Sequence, residues 1–291
     1  MIISKLIGGL GNQMFQYAAG RRAAFINKTF LKLDISGYKN QTGMTKRKYL
    51  LDCFNISEKF ASTSEINKLK GKNNLLQKIL RKTYPVIDNR AFIIEKHFHF
   101  SPNILKTSDN TYLEGYWASE KYFKDIEDII RQDFIFKYKP DSENKKLIEK
   151  IINSMSISIH VRRGDYVSVK KTHECHGVCS LEYYKKAINL ITSQVEKPHF
   201  FIFSDEPEWI KQNLKLKYPN TIIDYNFQKR DYEDLRLISL CKHNIVANSS
   251  FSWWGAWLNK NPKKVIIVPK KWFRDKSIDT KDLIPESWIK L

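Results

Sequence analysis

The chain has 291 residues, enough for one large domain or two ordinary ones, and its 42% hydrophobic content suffices for real cores. No apolar run approaches the roughly 20 residues that a bilayer-spanning helix needs. With 50 basic against 31 acidic residues the formal charge is +19; this suits nucleic acid, an anionic membrane surface or an anionic substrate and does not choose among them. Much of the lysine is scattered, as in "KLKGKNN" and "NKNPKK", and reads as solvated surface.

Cys53, Cys175, Cys179 and Cys241 do not form a disulfide framework in a chain of this length, so a reducing cytosol is the simpler inference. The opening "MIISKLIGG" has no signal-peptide pattern, and a cytoplasmic location is expected.

In chain order, Ile2 to Ile7 reads as a short buried strand, followed by "GGLGNQ", Gly8 to Gln13. A helical pattern follows, with Met14, Tyr17, Ala18 and Phe25 at helical spacing. Strand, glycine turn and helix N-terminus make an anion site, because glycine lets backbone N–H groups approach and the helix dipole favours negative charge. The stretch is neither G-x-G-x-x-G nor a P-loop with its lysine, so a plain tight βα turn stays equally open. "TFLKLDIS" is the next strand. Between Thr42 and Asn110 lies a basic amphipathic stretch, Ile66 to Lys82, with Leu69, Leu76 and Leu80 among lysines. It reads as a surface helix, or as one that rests on an anionic membrane at its inner face.

"KYKPDSENKK", Lys137 to Lys146, is polar and punctuated by Pro140, and it places a boundary between residues 1–140 and 141–291. Beyond it strands and helices alternate: "SISIHV", "HFFIFS", "TIIDY", "NIVANS" and "KVIIVP" are strands with helical patterns between them. This argues for a parallel, helix-covered sheet. Ligands of such sheets lie beyond the carboxyl ends of the strands, where His160, Arg162, Asp205, Asn248, Ser249 and Ser250 fall.

"HVRRGDY" is the sharpest of these motifs. An arginine fork at a strand end beside His160 suits a diphosphate, with Asp165 holding Arg162 or Arg163 in place. The plainer alternative is a structural Arg–Asp pair with a capping histidine. "ANSSFSWWGAWL" places Asn248, Ser249 and Ser250 at a helix N-terminus, and its tryptophans read as core packing. Asp234, at another helix start, suits either a guanine or ribose edge or a helix cap. "HECHGVC", His173 to Cys179, invites a zinc reading, but it lacks separated ligand knuckles, and no metal is expected. There is no D-x-D segment, so arginine and backbone amides must neutralise any leaving diphosphate.

"GGLGNQMFQYA", "GYWASEKYF", "HVRRGDY", "FSDEPEW" and "NSSFSWWGAWL" together resemble the α1,2-fucosyltransferases of glycosyltransferase family 11, in family order from residue 8 to residue 258. The resemblance implies an α/β GT-B fold, two Rossmann-like domains facing a cleft. It implies inverting transfer of L-fucose from GDP-β-L-fucose to a galactose 2-hydroxyl, without a required metal or other cofactor. By that similarity Arg162 holds the β-phosphate, His160 and Asp234 face the guanosine, and Ser250 with the backbone of Gly9 and Gly11 lies near the diphosphate. Asn12, Arg163, Asp165, Asn248 and Ser249 complete the expected donor set. The acceptor is a galactose-terminated oligosaccharide or a lipid-linked glycan. Asp34, Glu114 and Glu120 are N-terminal carboxylates available as a base. Two competing readings are the same fold with another GDP-sugar and a basic nucleic-acid-binding module. The second lacks any zinc-finger or RNP1 signature, so no nucleic-acid partner is expected.

Overall fold

The computed structural model describes residues 1–39, 41, 45–71, 91–226 and 230–291. They fall into two compact units, residues 1–135 with 281–283 and residues 136–280 with 284–291.

The first unit is a four-stranded parallel sheet, β1 (Ile2–Lys5), β2 (Leu31–Asp34), β3 (Phe92–Ile94) and β4 (Thr111–Glu114), in the order β2-β1-β4-β3. Helix α1 (Leu10–Ile26) joins β1 to β2. It starts inside "GGLGNQ", earlier than the Met14 expected, so Gly11 and Asn12 belong to its first turn and Gly9 is its N-cap. Most of α1 is buried, which explains its alanines and glycines. A Cβ on Gly20 would lie 2.8 Å from Leu31 and 2.9 Å from Ser4 Cβ, so only glycine lets this helix lie so close to the sheet. Helix α2 (Thr63–Lys70) begins at a capping box between Ser62 and Glu65 and buries Leu69. Leu76 and Leu80 of the basic stretch lie outside the described residues. Helix α3 (Glu127–Asp133) leads into Phe134, whose ring packs 4.9 Å from Phe54 and 5.5 Å from Tyr17.

The second unit carries β5 (Met155–Val161), β6 (Pro198–Ser204), β7 (Asn220–Ile223), β8 (His243–Ile245), β9 (Ile266–Val268) and β10 (Ile289–Lys290). All pair in parallel, in the order β10-β9-β8-β5-β6-β7. Counted from β5 this is the 3-2-1-4-5-6 arrangement of the Rossmann fold, whose order reverses between β5 and β8. The helices are α4 (Ser142–Ile152), α5 (Gly164–Ser168), α6 (Lys170–His176), α7 (Leu181–Thr192), α8 (Pro207–Asn213), α9 (Asp231–Leu240) and α10 (Ser250–Leu258). Both faces of the sheet are covered, so β6 reads as an unbroken apolar run. Phe200 and Ile202 pack with Tyr184, Ala187 and Ile188 of α7, while Phe201 and Phe203 pack with Leu237 and Ile238 of α9. Trp253, Trp254 and Trp257 are buried, and Trp253 stacks on Trp257 at 6.3 Å, as i, i+4 neighbours do.

The boundary falls at 135/136 rather than the expected 140/141, and the chain returns to the first unit near its end. The Arg236 guanidinium lies 4.5 Å from the Phe136 ring and donates to the Tyr138 carbonyl, which ties 136–140 to the second unit. Asp282 accepts from the Phe100 N–H at 3.0 Å and pairs with Lys121 at 2.6 Å, inside the first unit. Among the described residues no helix is long and apolar enough to cross a membrane.

Candidate active site

At the switch point of the second unit, the carboxyl ends of β5 and β8 lie side by side. "HVRRGDY" follows the first and "ANSSFSWW" the second. The fold therefore unites two motifs more than eighty residues apart where open α/β sheets bind ligands.

Arg162 is held by two carboxylates: Nη2 lies 2.5 Å from Asp165 Oδ1 and Nη1 2.8 Å from Asp205 Oδ2. Burial alone would lower its pKa, but the two carboxylates raise it and keep it charged. A guanidinium carries five N–H groups, so donors remain for an anion. Asp205 also accepts the Arg163 backbone N–H at 2.9 Å. Gly164 makes this possible, since a Cβ there would lie 2.5 Å from Asp205 Oδ2. Asp205 and Glu206 come from "FSDEPEW"; the sequence showed Asp205 at a strand end but not its hold on Arg162. Arg163 diverges from its neighbour: Nε meets Glu206 Oε2 at 2.8 Å, and the guanidinium stacks 3.9 Å from the Trp209 ring centre.

His160 is buried, and its Nδ1 lies 2.8 Å from Ser252 Oγ. Burial, with the nearby Arg162 charge, pushes its pKa down to about 3. It is a neutral hydrogen-bonding group at physiological pH and adds no charge to an anion site. Asn248 is committed to the fold. Its amide donates to the His176, Gly177 and Trp272 carbonyls at 3.1, 3.3 and 3.1 Å. It thus ties the end of β8 to the segment after α6. Ser249 is the N-cap of α10 without a side-chain cap bond, and Ser250 opens the helix, which directs the positive end of its dipole to the switch point.

Asp234 lies in the first turn of α9, where Asn226 Nδ2 donates to it at 2.8 Å. Burial raises its pKa to about 7, against that hydrogen bond and with help from Asp231 and Glu233. "HECHGVC" is a helix end and its exit: α6 stops at His176 and Gly177 follows at φ +62°. His176 stacks on Tyr166 at 4.6 Å, and Cys179 Sγ lies 3.4 Å from Asn248 Oδ1. Among the described residues no three His, Cys, Asp or Glu side chains are placed to hold a metal.

In the first unit, Gly8 has φ +78°, and a Cβ on it would lie 2.5 Å from Asn12 Nδ2. Gln13 donates to the Gly8 and Lys48 carbonyls and accepts from the Leu50 N–H, and Gln16 accepts from the Ile7 N–H. These glutamines build the glycine turn. The Asp34 carboxylate is buried and accepts from Tyr112 at 2.5 Å and from the Ser36 N–H at 2.8 Å. Glu114 pairs with Lys5 at 2.6 Å and Lys70 at 3.1 Å. For both, burial raises the pKa, but these partners win and hold it below the ordinary value. Glu120 lies 3.5 Å from Lys124.

Both units are parallel α/β and the second has Rossmann strand order, the elements that the expected GT-B fold combines. The profile "Glycosyl transferase family 11" matches residues 2–291, and the chain belongs to that family. It is 33% identical over 299 residues to an "Alpha-1,2-colitosyltransferase" of Escherichia coli, covering 100% of this chain and 99% of that one. It is 34% identical over 312 residues to the "O-antigen biosynthesis glycosyltransferase WbnK" of Escherichia coli, covering 99% of each. To the "Galactoside alpha-(1,2)-fucosyltransferase 1" of Bos taurus it is 24% identical over 275 residues, 87% of this chain and 72% of that one.

Proposed function

We propose that this glycosyltransferase moves L-fucose from GDP-β-L-fucose to the 2-hydroxyl of a terminal β-galactoside, with inversion, during assembly of a cell-surface glycan such as O-antigen. The observation that carries the reading is the doubly anchored Arg162 beside the α10 N-terminus at the switch point. As the fucosyl–phosphate bond breaks, charge builds on the β-phosphate oxygens. A guanidinium already fixed in place stabilises that charge without reorganising, which is where electrostatic catalysis is most effective. Ser250 adds a hydrogen-bonding group, and Asp234, when ionised, suits the N–H edge of guanine. This route uses no metal, so transfer should survive EDTA.

A second donor is favoured by the colitosyltransferase relative. Colitose is 3-deoxy-L-fucose, so the two donors differ by one hydroxyl, and a site that hydrogen-bonds that hydroxyl discriminates strongly. Competition between GDP-fucose and GDP-colitose on β-galactosides, with the linkage read by NMR, tests the assignment. A preference for colitose overturns the donor, and a product not linked at the galactose 2-position overturns the acceptor. A lipid-linked acceptor and a peripheral, charge-driven membrane contact on the cytoplasmic side belong to the same reading. Flotation with anionic but not neutral liposomes at low salt supports that contact.

A further inference from the structure

Glu95 immediately follows β3, at the carboxyl edge of the first sheet, and no motif marks it. Its backbone N–H extends the ladder to the Glu114 carbonyl at 2.8 Å. Its carboxylate is clamped by the loop after β4: the Tyr116 N–H donates to Oε2 at 2.6 Å and the Trp117 N–H to Oε1 at 3.0 Å. Gly115 leaves the room, since a Cβ there would lie 2.4 Å from Glu95 Cβ and 3.0 Å from Oε2. "GYW" in "GYWASEKYF" is therefore the cradle of a carboxylate twenty residues upstream.

The cradle carries strain and an unmet donor. Trp117 sits at φ +53°, a left-handed conformation costly for a bulky residue. It is fully buried, and among the described residues its indole N–H has no acceptor. Trp117 Cε2, next to that N–H, lies 2.9 Å from the same missing Gly115 Cβ position. A hydrogen-bond acceptor and the indole ring that carries the unmet donor thus meet over one glycine. That pairing suits a hydroxyl, which both gives and takes a hydrogen bond. Among the described residues no basic side chain pairs with Glu95, unlike Glu114 or Glu206. Burial raises the Glu95 pKa to about 7 against the two backbone N–H bonds. The unit's sheet order reverses between β1 and β4, one strand in from β3, and such sheets take ligands beyond the strand ends at a reversal.

We propose that Glu95, in its Gly115–Trp117 cradle, is a binding residue for a hydroxyl of the acceptor sugar. The assignment rests on the glycosyltransferase reading and adds the residue that meets the acceptor. Protonation below about pH 7 removes the anionic acceptor, so the acceptor KM rises as pH falls through that value. Other titratable groups nearby are the Tyr122 phenol, which burial keeps protonated far above neutrality, and the stacked His97–His99 pair.

The experiment measures acceptor KM from pH 5.5 to 8.5 for wild type, Glu95→Gln and the His97→Gln/His99→Gln control, with GDP affinity and circular dichroism alongside. Saturation-transfer NMR with methyl β-D-galactopyranoside reads acceptor binding without turnover. Glu95→Gln should raise KM roughly tenfold or more, the cost of losing a hydrogen bond to a charged group. It should flatten the pH dependence and leave GDP affinity unchanged; the histidine control should keep the wild-type profile. Gly115→Ala, which displaces the carboxylate, should behave as Glu95→Gln does. A folded Glu95→Gln that keeps the wild-type KM and pH profile, or loses only thermal stability, overturns the proposal. Loss of GDP binding in wild type would instead overturn the donor reading, independently of Glu95.

Discussion

Replacing Arg162 by alanine tests the site most directly. The side chains of Asp165 and Asp205 are only 11% and 10% exposed, and the substitution removes the guanidinium they share. Removing one partner of a buried ion pair costs about 3–5 kcal/mol. A domain of this size loses roughly 2–4 °C of Tm per kcal/mol, so Tm should fall by about 6–20 °C. The cluster holds two cations, Arg162 and Arg163, against three carboxylates, Asp165, Asp205 and Glu206. Arg162→Ala leaves one cation against three, so GDP should bind more weakly as well. The kcat should fall about 10²–10³-fold, as when a preorganised donor to a developing oxyanion is lost. Arg162→Ala/Asp205→Asn separates these effects: it should recover much of the Tm and the GDP affinity but not kcat. Arg162→Lys should restore charge but not the two-pronged hold. Arg163→Ala should cost stability through Glu206 and Trp209 with a small effect on kcat. The assays are thermal unfolding, a GDP isotherm and initial rates. An Arg162→Ala protein with wild-type Tm and kcat, or a double variant with restored kcat, refutes the reasoning.

Two further outcomes follow from the same geometry. Gly164→Ala places a Cβ against Asp205, so the folded variant should lose roughly tenfold in kcat, and Asp205→Asn in that background should add little, because the two changes break one contact. Asp234 is protonated below about pH 7 and charged above it. An affinity that depends on its accepting guanine N–H groups should therefore be present at pH 8 and decline through pH 7. Titrating GDP against inosine diphosphate in wild type and Asp234→Asn checks this, and the same pH dependence in both proteins contradicts it.

The C-terminal alternation of strands and helices was legible because a sheet covered on both faces writes its strands as continuous apolar runs, as in Phe200–Phe203. The short strands were not. β3 is "FII" and β10 is "IK", too few residues to show any period, and pairing with neighbours makes them strands. The motifs were legible as motifs, but their division of labour was not. Gln13 serves backbone groups of Lys48 and Leu50, some 35 residues away, and Gly164 serves Asp205, 41 residues on. Glu95 was invisible for the same reason, since its neighbours are two N–H groups that the turn after β4 delivers.

Overall charge says little about this site. The formal charge of +19 left nucleic acid, an anionic membrane and an anionic substrate open, and at the switch point carboxylates outnumber the arginines and His160 is neutral. A bare pair of guanidinium groups would bind a diphosphate tightly in ground and transition states alike, and uniform binding does not raise kcat. Two carboxylates on Arg162 offset its ground-state pull and fix its direction. On the proposed donor reading, its remaining donors count most where charge concentrates on one phosphate oxygen as the sugar departs. On this argument the acidic residues around Arg162 are part of the chemistry. Asp205→Asn alone should therefore tighten GDP binding while slowing transfer, and a change of both in the same direction would show that Asp205 acts only as a structural partner.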